Sequence, residues 1–238
     1  MGRHRLLTAA LVSTLAASTV LTGCFTGERP SLAPTEAAVD DPAIAAVIDR
    51  LGAANAAQFT ADYRIVTKLT SQVTLTSADI ASGVTSTTAA PGGITTAAVV
   101  TRSSATAVSI TVGNVRFIDD NGSQKTCNLV AGSCTPLLDD AQVSNLLVTH
   151  EFSSASPVAR LRQDANTMVS AAIGSTREIA GQTATCVQVT FVDGNKVYCA
   201  LDNGLLAYQD TPDLQIDLVG YTAGSDPAQF SETTVAGG

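Results

Sequence analysis

Five cysteines are the residues best equipped for covalent chemistry in this sequence, and they fall into two groups. Cys24 stands alone behind an apolar run, whereas Cys127, Cys134, Cys186 and Cys199 lie in the second half of the chain. Four thiols in an exported chain suit two disulfides, with three connectivities open. The pairing Cys127–Cys134 with Cys186–Cys199 is favoured, because each pair spans a hairpin-like turn. Zinc is the competing chemistry, but the spacings are not C-x2-C and only His150 accompanies the thiols, so no metal site is assigned. His150 itself reads as an interior or edge histidine, since no serine, cysteine or acid is arranged with it as a base requires. The sequence holds no nucleophile elbow, zinc helix, phosphate loop or redox C-x-x-C, so no catalytic residue and no cofactor are assigned. Asp119-Asp120-Asn121-Gly122 has the opening of a calcium loop without its later ligands, and reads as a turn.

Cys24 draws its chemistry from what precedes it. Arg3, His4 and Arg5 form a basic start, and Leu6 to Val20 carry no charge. That is the layout of a secretory signal segment, and the run is short for a span that needs about 20 apolar residues. Leu21-Thr22-Gly23-Cys24 then resembles the bacterial lipobox. The resemblance implies a diacylglyceryl group on the Cys24 thiol and cleavage before it, with residues 1–23 as the signal peptide. The expected site is the outer, extracytoplasmic face of the cell membrane, held there by acyl chains on Cys24.

The charge balance agrees with that anchor. Thirteen basic against 21 acidic residues give −8, which becomes −10 once Arg3 and Arg5 leave with the signal. A chain this acidic repels nucleic acid and anionic headgroups alike, so acyl chains must do the holding. Residues 24–40, with Gly27, Pro30 and Pro34, read as the lipidated cysteine and a flexible tether. Residues 41–238 are enough for a single domain with a real core.

The elements of that domain follow from periodicity. Asp41-Pro42 caps a helix whose Ile44, Val47, Ile48 and Leu51 share one face. From Phe59 the period becomes two, through Ala61, Tyr63, Ile65 and Leu69. Further strands are expected at 72–76, 94–102, 106–112 and 115–119, with a loop over 77–93 and a tight turn at Gly113-Asn114. Asp139 or Asp140 caps a helical stripe of Val143, Leu146, Leu147 and His150. Ser156-Pro157 starts a second helix that buries Val158, Leu161, Ala165 and Met168, and turns Arg160, Arg162, Gln163 and Asp164 to water. Strands are then expected at 177–180, 185–191, 196–201, 205–209 and 214–221. A Cys186–Cys199 bond would set Val187 opposite Tyr198 and Gln188 opposite Val197, with a loop of about four residues.

This element order, with Thr185-Cys186-Val187-Gln188-Val189 and Val197-Tyr198-Cys199-Ala200-Leu201-Asp202-Asn203-Gly204, resembles the LolA/LppX/LprG group of lipid-carrier lipoproteins. The resemblance implies an α+β fold: a strongly bent antiparallel half-barrel with helices packed against or across its concave face. It also implies a non-enzymatic binder or carrier of a lipid or glycolipid. Val108, Ile110, Val112, Val115, Phe117, Val187, Val189 and Phe191 are the residues that would line such a cavity. The same alternation would equally build a dry core, leaving an envelope module for protein–protein interaction.

Overall fold

The computed structural model describes residues 39–53, 57–68 and 93–232. The signal segment, Cys24, the tether up to residue 38, Leu69, the expected strand at 72–76 and nearly all of the loop at 77–93 lie outside the described residues.

Helix α1 (Pro42–Leu51) starts where the cap demands. Asp41 Oδ1 accepts from the Ala43 and Ile44 amides at 2.9 and 3.3 Å, and Pro42 occupies the first turn, where no amide is needed. Its buried face is Ile44, Val47, Ile48 and Leu51.

Eleven strands form one antiparallel sheet. They are β1 (Phe59–Thr67), β2 (Ile94–Ser104), β3 (Ala107–Val112), β4 (Val115–Asp120), β5 (Ser123–Asn128), β6 (Ser133–Pro136), β7 (Ile173–Ile179), β8 (Gln182–Phe191), β9 (Gly194–Leu201), β10 (Leu206–Asp210) and β11 (Leu214–Ala223). Their spatial order is β6-β5-β4-β3-β2-β1-β11-β10-β9-β8-β7. Two meanders therefore meet where β1 pairs with β11, and β6 and β7 are the two edges. Between β6 and β7 the chain forms a 3-10 segment (Asp140–Leu146) and helix α2 (Ala155–Ala165). The architecture is α+β, a sheet that does not close.

The segment between β6 and β7 reaches across the sheet. Its His150 ring lies 5.9 Å from that of Phe117 on β4, and three residues on, the Ser153 carbonyl accepts from the Leu206 amide of β10 at 2.8 Å. Register shifts at Asp62/Tyr63, Arg102/Ser104 and Leu206/Tyr208 supply bulges, which increase local twist. Val143, Leu146, Val148 and Phe152 drop from the connecting segment onto the inner face and join one core with α1 and the inner strand residues. The outer face is crossed by residues 226–232. There Arg116 donates to the carbonyls of Ala228 and Ser231 at 3.1 and 2.7 Å, and desolvation lowers its pKa, opposed by the charge of Asp226.

Disulfides join Cys127 to Cys134, tying β6 to β5, and Cys186 to Cys199, tying β8 to β9. In the second hairpin Val187 opposes Tyr198 and Gln188 opposes Val197. The loop is the two residues Val192-Asp193, not four, because pairing continues to Phe191–Gly194.

Several expectations need correction. The stripe through His150 stops early: Leu147 adopts φ 59°, which ends the 3-10 turn and leaves its side chain 37% exposed. Helix α2 begins at Ala155, before the Ser156-Pro157 signal, and Ser154 makes no side-chain cap. Asp164 faces β9 instead of water. No strands were expected at β5 and β6, although the hairpin-like turn between Cys127 and Cys134 is there and joins them, and β7 spans 173–179 instead of 177–180. At the Asp119–Gly122 turn Asp119 accepts from the Gly122 amide and from Gln124, so its oxygens serve the hairpin.

Candidate functional site

Alternation and register place the expected lining residues on one face of the sheet. Val108, Ile110 and Val112 of β3 oppose Asp119, Phe117 and Val115 of β4, and Val187 and Val189 of β8 share the face of Tyr198 and Lys196. Their surroundings differ. Val112, Val115, Val187 and Val189 are buried in the core. Val108, Ile110 and Phe117 line a recess of about 330 Å³ with Arg102, Leu138 and His150. Phe191 lines a separate recess of about 410 Å³.

The recess at Phe191 is polar because α2 meets β9 there. Lys196 and Tyr198 point the same way from β9, and both donate to Asp164 near the end of α2, at 2.6 and 2.7 Å. The Lys196 ammonium also sits 4.4 Å above the Phe191 ring. Beside them Arg160 donates to Asp213 at 3.2 Å, and Thr211 to the same carboxylate at 2.7 Å. Desolvation of Asp213 is outweighed by those bonds and by the Arg160 charge, so its pKa is lowered. Lys196, Arg160, Asp164 and Asp213 are thus paired with one another across this recess, which Asp193 also lines. At the other recess His150 Nδ1 lies 2.9 Å from Asp140, and its second ring nitrogen meets no hydrogen-bonding group among the described residues. The sequence reasoning missed Asp140 as its partner; the three-turn spacing of helix does not apply, because the chain leaves the 3-10 turn between them.

Burial raises the pKa of Tyr198, with the Asp164 bond and charge adding to it, and burial followed by the charge of Tyr221 raises that of Tyr63. Both phenols stay protonated in the fold at pH values where the unfolded chain ionises, from about pH 10. Stability is therefore intact below that pH and falls above it. In an absorbance titration at 295 nm, Tyr63 and Tyr198 are expected to ionise only as near-ultraviolet circular dichroism collapses. Ionisation of all four tyrosines with that signal unchanged would contradict their placement.

The sheet's two edges differ more than its recesses do. Edge β6 has four residues, ends in Pro136 and is bonded to β5 through Cys134. Edge β7 has seven residues, six of them exposed, and no proline. Its outward groups follow from the disulfide. Cys186 and Cys199 are opposed with Cα atoms 3.9 Å apart, a close, non-hydrogen-bonded pair, so Cys186 turns its amide and carbonyl toward Ser175. Alternation then points the amides and carbonyls of Gly174, Thr176 and Glu178 away from the sheet. The same parity puts the Ala172 amide outside, where Asp41 Oδ2 accepts it at 2.9 Å. Exposed Val169, Ile173 and Val192 lie at this edge and the adjoining β8–β9 turn.

No protein-family model matches the chain, and no curated protein does. Among solved structures, the complex of Pseudomonas aeruginosa MucA and MucB is similar at 14% identity, over 78% of this chain and 58% of that one, with a TM-score of 0.43. A crystal structure of MucB matches at 12% identity, over 78% and 60%, with a TM-score of 0.38. MucB in complex with MucA(peri) matches at 12%, over 79% and 58%, with a TM-score of 0.40. The matches thus span less than two thirds of those longer chains.

Proposed function

We propose that this chain is an exported, non-enzymatic binding module, held at the outer face of the cell membrane by acyl chains on Cys24, that engages a protein partner by pairing one of its strands with β7. The β7 edge carries this reading. Natural sheets blunt their edges with short strands, proline, charges or covalent ties; β6 has the first, second and last of these, whereas β7 has only the charges of Arg177 and Glu178, and its outward backbone groups offer a template for strand addition. The lipobox-like segment and two disulfides support the exported setting. Burial of Val112, Val115, Val187 and Val189 in one core with Phe152 favours an interaction module over a carrier, since half of the expected lining is already covered. Carriage of an apolar ligand keeps the support of two recesses, one at Val108, Ile110 and Phe117 and one at Phe152, Leu214 and Ile216.

Photo-crosslinking side chains at Arg177 on β7 and Thr135 on β6 test the proposal in intact cells. A discrete protein adduct is expected from position 177 and not from 135. Thr176→Pro removes only an outward amide, so it should abolish the adduct while shifting Tm by no more than a few degrees. No adduct, or one that survives Thr176→Pro, would sink the edge. Lipid retained on the purified domain in native mass spectrometry would favour the carrier.

A further inference from the structure

One guanidinium on the inner face of the sheet has no counter-charge. Arg102 shares the parity of Ala98 and Val100, which join the core, and stands opposite Val108 of β3. Register thus turns its side chain toward the recess of about 330 Å³ that it lines with Val108, Ile110, Phe117, Leu138 and His150. Nε is buried and out of a guest's reach. Nη1 donates to the Ala105 carbonyl at 3.2 Å, while Nη2 has no partner among the described residues and is not buried. Desolvation lowers the Arg102 pKa and no carboxylate opposes it, in contrast to Arg116, where Asp226 does. Asp119 and Glu151 also line the recess, but neither serves Arg102. Asp119 accepts from the Gly122 amide and from Gln124, and Glu151 is exposed.

A charge partly withdrawn from water without a counter-ion is unfavourable, and apolar walls cannot supply one. An anion with an apolar body would satisfy both. We propose that this recess binds a small apolar monocarboxylate, one oxygen accepting from Arg102 Nη2 and the hydrocarbon part lying against Ile110, Phe117 and Leu138. The volume sets the size. It lies at the low end of the roughly 300–1,000 Å³ of small-molecule sites, so it takes one ring or one short chain and not a diacyl lipid. The two acids set the charge: a second carboxylate on the guest would meet Asp119 or Glu151, so a monoanion is preferred over a dianion. This site does not rest on strand addition at β7, and the two can fail separately.

Cyclohexanecarboxylate, its carboxamide and trans-cyclohexane-1,4-dicarboxylate form a matched set of probes, titrated into the purified chain at neutral pH. The imidazole signals of His150 report binding, told from those of His4 by their nuclear Overhauser contacts with the Phe117 ring. The monocarboxylate is expected to shift them saturably. Its affinity should exceed that of the carboxamide by about tenfold, the worth of a charge-assisted bond over a neutral one, and should also exceed that of the dicarboxylate. Arg102→Met should erase the preference for acid over amide and leave amide binding in place. Glu151→Lys, at the exposed rim, should tighten the acid and not the amide, which decides the case if Arg102→Met does not fold. Four results would each overturn the proposal: no saturable shift at His150, equal affinity for acid and amide, a preference that persists in Arg102→Met, or a Glu151→Lys variant in which acid and amide change alike.

Discussion

Replacing Phe152 by alanine is expected to lower unfolding stability by about 4 kcal/mol, the range for a phenylalanine deleted from a packed core. Phe152 is 1% exposed and meets the Tyr63 ring edge-on at 5.2 Å. The same contact fixes the loop over the sheet: the Tyr63 hydroxyl donates to the Leu206 carbonyl at 2.9 Å, and the Leu206 amide donates to Ser153 at 2.8 Å. Phe152 thus holds together strands β1 and β10 and the segment packed on them. Loss of its ring removes apolar contact and leaves a void that the tied loop cannot collapse into. Urea unfolding with both disulfides intact measures the loss, and hydrogen exchange locates it. Exchange at the Leu206 amide should speed up more than at amides of the β3–β4 hairpin. Phe152→Leu should cost far less, since it keeps most of the volume. A loss under about 2 kcal/mol for the alanine variant would mean that this ring does not anchor the connecting segment to the sheet.

What the sequence discloses about this molecule is mostly local. Asp41-Pro42 marks the start of α1 because a carboxylate and a missing amide are both needed there. Gly113-Asn114 turns β3 into β4, with Gly113 at φ 56°, a conformation that favours glycine. The two cysteines of β8 and β9 disclose a full hairpin register, since one opposed pair fixes all others. The polar strands at one end of the sheet are a different matter. Ser-Gln-Lys-Thr-Cys-Asn and Ser-Cys-Thr-Pro lack an alternating apolar face; β5 is held by its pairing with β4, and the edge strand β6 by β5 and a disulfide. The bulges depend on how strands meet, so no single strand announces them. The candidate edge at β7 is hidden for the same reason: whether a strand has one neighbour or two is a property of the sheet. The expected lining residues share a face by alternation, but a common face says nothing about which side chains the connecting segment will cover.

Asp164 gives the second large effect, and it shows why a carboxylate in a helix's polar stripe can be a structural centre. It sits near the C-terminal end of α2, where the helix dipole disfavours negative charge. Its side chain is 7% exposed and accepts from Lys196 and Tyr198, the latter fully buried. Asp164→Ala is expected to cost about 3 kcal/mol. It leaves the Tyr198 hydroxyl without an acceptor and an ammonium without its counter-charge. The cost stays at the low end for a broken buried pair because Lys196 keeps 26% exposure and can turn toward water. Asp164→Asn retains an acceptor for Tyr198 and should lose about half as much. Combining Asp164→Ala with Tyr198→Phe separates the terms: once the hydroxyl is gone it no longer needs an acceptor, so the double variant should be more stable than the sum of singles by about 1–2 kcal/mol. Additive losses would mean that the hydroxyl finds another partner, and the junction of α2 with β9 would then rest on packing alone.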